Sequence, residues 1–309
     1  MQRLRSFRHG DRAEYLAQYI LSALAITVPV PRQEDVGTDF HCSLLRGEGA
    51  NLRPTIPFNI QIKSAGDEIL KDGIRFGGVT QAGKWRQHEI NQLCQTDTPF
   101  LIGLVNLEKQ SLDLFSTITR YFVLSNWQGT GLPREVALIP YDPVGEGHLG
   151  SGAQEDLPTK PDMPRKLWKL PIGQPIVSIS IDESENEARC EEIKNLLEPH
   201  LRMDQENAVC FRIGLGYFDW PLIIRPGEAL KEWGVGLASQ PAEAPAVQQQ
   251  LRTVARIVAS LLTSYRLSNR KAEILAWEPT LAQLPISQTP EFVRNSIQQA
   301  LDFARAPIA

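Results

Sequence analysis

What is scarce in these 309 residues narrows the reading first. There are four cysteines, Cys42, Cys94, Cys190 and Cys210, and no two of them stand at C-x-x-C spacing. That excludes the common structural zinc patterns and, in a chain of this length, a disulfide framework. A reducing, cytoplasmic setting is the expectation. Long apolar runs are missing too. The best one, Ile20 to Val30, is broken by Ser22, Thr27 and Pro29 and is too short to cross a bilayer. The opening MQRLRSFRHGD has no apolar h-region, so neither a signal peptide nor a membrane partner is expected. Nor is positive charge in excess: 32 Lys+Arg stand against 36 Asp+Glu, a net charge of −4. A basic nucleic-acid coat is excluded by that balance, whereas a locally basic groove is not.

What is present is an ordinary soluble composition, 42% hydrophobic and 22% charged, in a chain long enough for two domains. Charge is unevenly spread. Residues 1–95 hold 12 Lys+Arg and 10 Asp+Glu, about +2, and the remainder holds 20 and 26, about −6. The most basic stretch carries Arg3, Arg5, Arg8 and Arg12, read either as a solvated arm or as a phosphate contact.

Periodicity gives the elements. Ala13, Leu16, Ala17, Ile20, Leu21 and Leu24 form one stripe of a helix over Asp11 to Ala25. Pro29 and Pro31 end that region, and a turn-rich segment follows in which Asp35 is read as a turn residue. Asp39 to Leu45 and Pro57 to Ser64 alternate apolar and polar residues and predict an antiparallel hairpin. A polar, Gly-rich stretch runs from Ala65 to Gly83. Trp85 to Cys94 reads as a short helix, Pro99 to Val105 as a strand buried on both faces, and Leu112 to Ile118 as a further strand. The fold class is therefore α/β with a mixed sheet. The predicted division is an N-terminal domain over 1–135, a linker or long loop over 136–164, and an α+β region over 165–309. That last region has predicted strands at Ile176–Ile181 and Ala208–Ile213, and helices at Glu187–Leu197, Ala246–Tyr265 and Pro290–Ala304. Ile213-Gly-Leu-Gly-Tyr217 is not followed by a nucleotide-binding unit, and Asp219-Trp220-Pro221 reads as a turn with a packed indole.

The hairpin carries the chemistry. In an antiparallel pair the start of one strand lies beside the end of the other, so Asp39 approaches Gln61 and Lys63. Alternation puts Gln61 and Lys63 on one face and Ile60 and Ile62 on the other. Such a group suits phosphodiester hydrolysis. Mg²⁺ takes oxygen ligands, here the Asp39 carboxylate, the Gln61 amide oxygen and the backbone carbonyl of Ile62. Lys63 would orient the attacking water and offset developing negative charge. Glu14, on the flank of the first helix, would reach the metal directly or through water. Arg8, Arg12, His41, Ser64, Lys84 and Arg86 are candidate nucleic-acid contacts, with His41 placed in the cleft as a structural or substrate-contacting residue. Trp85 would pack or line the same channel.

The residues Arg12-Ala-Glu14, Glu34-Asp35-Val-Gly-Thr-Asp39-Phe40 and Phe58-Asn-Ile-Gln61-Ile-Lys63-Ser64 resemble the PD-(D/E)XK nuclease superfamily, in its Q-x-K branch. That branch includes Mrr-type restriction endonucleases and a bacterial D-x-G-x-D…Q-x-K domain. The resemblance covers roughly residues 8–120. It implies a restriction-endonuclease-like αβββαβ core, Mg²⁺ or Mn²⁺ as cofactor, DNA as substrate, and Glu14, Asp39, Gln61 and Lys63 as site residues. By analogy it also implies an effector role in prokaryotic defence. The C-terminal half would then supply target recognition, a homo-oligomer interface or a partner-protein site. Gln61 departs from the usual acid, so the metal loses one charge. A catalytically inactive module that binds DNA or protein is the alternative expectation.

Overall fold

The computed structural model describes residues 2–31, 37–47, 51–79, 84–121, 134–141, 153–157, 165–212, 217–218, 235–236, 245–282 and 284–307. Helix α1 (Gln2–Ser22) buries Ala13, Ala17, Ile20 and Leu21, the stripe expected from spacing. The chain then changes geometry earlier than the sequence suggests. Strand β1 (Ala25–Pro29) takes over where a last helical turn was expected. Its Ile26, Thr27 and Val28 are β-branched and favour a pleated surface, and Pro29 is tolerated because β1 is an edge strand.

A six-stranded mixed sheet follows. It comprises β1, β2 (Phe40–Arg46), β3 (Arg53–Ser64), β5 (Phe100–Asn106), β6 (Ser111–Ser116) and β10 (Val177–Ser180), side by side in that order. Neighbours are antiparallel except for β3 and β5, which are parallel. The predicted hairpin is present, with Phe40 opposite Ile60 and Cys42 opposite Phe58. Register carries one apolar face across the sheet through Phe40, Ile60, Leu101, Leu112, Leu114 and Ile179, all buried. α1 packs along β3 and β5, and the long helix α5 (Glu187–Arg212) along β2, β3 and β10. The opposite face of β5 and β6 meets a second sheet through two edge-on ring pairs, Phe100 with Phe76 and Phe115 with Tyr141.

That second sheet was not visible in the sequence. It runs β4 (Ile74–Gly77), β7 (Glu135–Pro140), β9 (Arg165–Gly173), β8 (Ala153–Leu157). α2 (Asp67–Asp72) and β4 occupy the stretch read as polar and Gly-rich. β7 and β8 fall inside the segment read as linker, and β10 crosses back to complete the first sheet. The parallel crossover from β3 to β5 is closed by α3 (Gln87–Gln95).

Beyond β10 the structure is helical: α4 (Ile181–Ser184), α5, α6 (Pro245–Leu267), α7 (Lys271–Ala276), α8 (Glu278–Leu281) and α9 (Glu291–Arg305). The strand expected at Ala208–Ile213 is instead the end of α5, up to Arg212. α5 runs past the Leu197 end expected from the sequence and through Pro199, although proline cannot donate to the carbonyl four residues back. The helix survives because that carbonyl, of Asn195, accepts a hydrogen bond from the Ser264 hydroxyl of α6 at 2.8 Å. Arg46 donates to the neighbouring carbonyl of Lys194 at 3.1 Å. Ser264→Ala is expected to cost about 1 kcal/mol, read as a lower urea midpoint, since it strands a partly buried acceptor.

His200, one residue after the proline, is buried, and its Nδ1 lies 2.9 Å from the Leu196 carbonyl. Burial pushes its pKa down from 6.5 to about 4, against the raising effect of that hydrogen bond. Between those values the unfolded chain binds a proton that the folded chain refuses. His200 is thus expected to stabilise fully above pH 6.5 and to lose that contribution as pH falls toward 4, a change of about 3 kcal/mol. Denaturant midpoints across this range check it: His200→Gln, which does not titrate, should flatten the acid limb.

The second half is joined to the sheet by a buried polar cluster. Arg120 Nη2 donates to Asp204 Oδ1 at 2.8 Å, and both side chains are almost wholly buried. Tyr121 donates its hydroxyl to Asp204 at 2.9 Å, and the Phe100 N–H donates to Oδ2 at 3.0 Å. No helix among the described residues is long and apolar enough to cross a membrane.

Candidate active site

The turn before β2 sets Asp39. Gly37 has φ of +85°, and a Cβ there would lie 3.7 Å from the Glu89 backbone, so the turn presses against α3. Gln92 of α3 donates its amide to the buried Thr38 hydroxyl at 2.7 Å. The Asp39 N–H then donates to the Ile60 carbonyl at 3.0 Å, and the Asp39 carbonyl accepts from Val30 at 2.9 Å. With its backbone held from both sides, the Asp39 carboxylate accepts the Ile62 N–H at 2.6 Å. An acid 23 positions away is thereby fixed between Gln61 and Lys63.

The pleat decides what surrounds it. Asn59 and Ala65 of the β3 segment donate their N–H groups to the β5 side, to Pro99 and Val105. Ile62 donates the other way, to Asp39. In an extended strand the C=O of a residue points to the same side as its N–H. The Ile62 carbonyl therefore faces the Asp39 side, past Phe40, where β2 begins. Gln61 and Lys63 rise from the opposite face to Ile60 and Ile62. Gln61 is only 8% exposed, and its Oε1 is buried with no hydrogen-bond partner among the described residues. A buried acceptor without a donor costs free energy, so a native ligand for it is to be sought. Lys63 is half-buried.

Asn59 shares the parity of Gln61 and Lys63, and its Oδ1 accepts a hydrogen bond at 2.7 Å from Nδ1 of the exposed His41 opposite it. Sequence reading passed over Asn59, although strict alternation through β3 would have included it. Ser64 ends β3 and is half-buried.

Glu14 arrives from α1. The end of that helix is tied to β2, since Leu45 donates to the Leu24 carbonyl at 2.9 Å. β1 then runs back to Pro29, opposite Phe40. Glu14 lies roughly 12 Å up the helix from its last residue, Ser22. It is half-buried beside the buried Ala13 and Ala17. Among the described residues no three His, Cys, Asp or Glu side chains gather with the spacing of a metal site. A cation at Asp39 would therefore rely on the Gln61 amide and the Ile62 carbonyl beside carboxylate.

The outlying candidates divide. Arg12 is exposed on α1, while the side chain of Arg8, and Asp35, lie outside the described residues. Most of the Ile213–Tyr217 run and all of Asp219-Trp220-Pro221 lie outside them too. Lys84 is exposed. Trp85 is not in the helix: it forms an isolated bridge with Val79, and Arg86 caps α3, paired with Glu89 at 2.9 Å. Hydrophobic period alone ran the helix two residues too far because the indole is apolar.

Set beside known proteins, the chain matches no family model, no curated protein and no solved structure.

Proposed function

We propose that this protein is a Mg²⁺-dependent DNA endonuclease of the PD-(D/E)XK type, with Asp39, Gln61, Lys63 and Glu14 as its working residues. One observation carries the reading: the Asp39 carboxylate accepts the Ile62 N–H at 2.6 Å, and Gln61, the residue before Ile62, has a buried side-chain oxygen with no hydrogen-bond partner among the described residues. The α/β class with a mixed sheet suits the reading; the element order up to β5 is α1-β1-β2-β3-α2-β4-α3-β5.

The donors fit a hard divalent cation: carboxylate, amide oxygen and peptide oxygen. Asp39, Gln61 and the Ile62 carbonyl would hold it, with Glu14 adding a ligand through water. Bound there, Mg²⁺ supplies Lewis acidity and a more acidic water. The protein does the rest. Asp39 and Gln61, both acceptors, would act on the scissile phosphate only by holding that cation. The Lys63 ammonium, on the same face as Gln61, holds the attacking water by hydrogen bonding and offsets charge growing on the phosphate oxygens. His41 and Asn59, further along that face, present polar groups to the substrate backbone.

Incubation of supercoiled plasmid with the purified chain tests this. Nicking that needs Mg²⁺ or Mn²⁺, stops with chelator and is lost on altering Asp39 supports it. Absence of cleavage under both metals sinks it. A second reading, a nuclease-like module that binds without cutting, draws on the neutral Gln61 and on the lack of a three-residue His/Cys/Asp/Glu cluster among the described residues. It expects DNA binding that is indifferent to divalent metal.

A further inference from the structure

Helix α3 stands between the second sheet and the turn that carries Asp39. Its start is fixed to β4. Glu89 accepts the Gly77 N–H at 2.9 Å, and the Arg86 N–H donates to the Gly78 carbonyl at 2.9 Å. Ile90 is wholly buried, and a Cβ at Gly77, which has φ of +79°, would fall 2.8 Å from its side chain. Helix and strand therefore close on each other only with glycine there. One turn beyond Glu89, on the same face, Gln92 reaches the Asp39 turn and donates to the Thr38 hydroxyl at 2.7 Å.

Thr38 is 2% exposed. A valine of the same shape would bury there without the cost of dehydrating a hydroxyl; what the hydroxyl adds is direction. Direction is needed at this point. The chain enters from Gly37 at φ of +85°, and glycine moves freely about such a value, so the turn does not hold itself. β2 begins at Phe40, opposite Ile60, so no residue of β2 faces the Ile62 N–H, and its acceptor is the Asp39 side chain. A displaced Thr38 would carry that carboxylate away from Ile62.

We propose that Gln92 is a positioning residue for Asp39: through the Thr38 hydroxyl it holds the carboxylate against the Ile62 N–H, and α3 thereby makes the second sheet part of the support of the candidate site. The effect on cleavage rests on the nuclease reading; the hold on Asp39 does not. Misplacing a working group by about 1 Å costs up to about 10²-fold in rate, so a tether one residue from Asp39 is felt in turnover.

Amide hydrogen exchange of the full chain, read residue by residue by NMR without metal or DNA, tests the hold. Gln92→Ala is expected to speed exchange at Ile62 about tenfold, the loss of roughly one hydrogen bond. Asn59 and Ala65, which donate to Pro99 and Val105, should keep their wild-type rates. Thr38→Val should act like Gln92→Ala, the two together should do no more than either, and Thr38→Ser, which keeps the hydroxyl, should exchange as wild type does. Should Gln92→Ala fail to fold, the Thr38→Val and Thr38→Ser pair decides the matter. Unchanged exchange at Ile62 overturns the proposal, because Asp39 then holds itself. Equal acceleration at Asn59 and Ala65 overturns it too, because Gln92 then only stabilises the sheet. Where wild type cuts plasmid, Gln92→Ala is expected to lower kcat about tenfold with KM kept. Faster exchange at Ile62 with no cutting by wild type leaves the positioning role and removes the nuclease reading, whereas cutting by wild type with unchanged exchange in Gln92→Ala does the reverse.

Discussion

Lys63→Ala is expected to slow Mg²⁺-dependent plasmid nicking by about 10²–10³-fold without lowering thermal stability. The size follows from the role proposed for the amine. Negative charge grows on the phosphate oxygens as the water attacks, and a preorganised cation in a partly dry cleft stabilises that charge more than the ground state. Lys63 is half-buried near the end of β3, and β3 is flanked on both sides, so losing the amine leaves the strand in place. Asp39→Asn is the sharper companion. It keeps an oxygen for the Ile62 N–H, and so keeps the turn, while removing the charge that would hold the cation. Its cleavage should fall at least as far, and excess Mn²⁺ should restore only part of it. Equal rates for wild type and both variants would assign the cutting to something else in the preparation. Normal melting with lost cleavage is the signature of a working residue; loss of both would be that of a scaffold residue.

Breaking the Arg120–Asp204 pair is expected to give the largest loss of stability in the molecule. Asp204→Leu leaves a guanidinium, 1% exposed, without its carboxylate, and strips the Phe100 N–H and the Tyr121 hydroxyl of an acceptor. Removing one partner of a buried pair costs about 3–5 kcal/mol, because the remaining charge is not resolvated. The other half of the argument concerns the pair itself. Two charges taken out of water gain little over apolar groups of similar shape, so Arg120→Met/Asp204→Leu should lose much less than the two single changes added together. Urea unfolding of the four proteins measures this. Strict additivity would show that the contact contributes nothing beyond its separate parts. Since Phe100 opens β5, the strand beside Gln61, the single variants should also loosen the candidate site, visible as weaker metal response at unchanged protein concentration.

Much of the candidate site was legible because it depends on local rules. Alternation in Pro57 to Ser64 placed Gln61 with Lys63, and the antiparallel return placed Asp39 beside them; the 2.6 Å contact to Ile62 is the consequence of both. The stripe in α1 was legible for the same reason, since apolar residues at helical spacing must find a face to bury. Local rules misled where a distant partner reversed their sign. Pro199 ends a helix in isolation, but Ser264, 65 positions on, satisfies the carbonyl it frees, and α5 runs to Arg212. The helix expected to run to Ala25 stops at Ser22, because Ala25 to Pro29 pair with β2.

By itself, then, the sequence determined the α/β character, the hairpin and the return that brings Asp39 against Ile60 and Ile62, because periodicity and strand pairing act over a few residues and need no knowledge of the rest. Tertiary structure alone decided the second sheet, the return of β10 to the first, the buried Arg120–Asp204 link and the stacking of Arg134 on Trp85. Each of those joins segments tens of residues apart whose own patterns are weak. Pairings of that kind are chosen by which surfaces remain to be buried once the local elements have formed, and no short window of sequence records that choice.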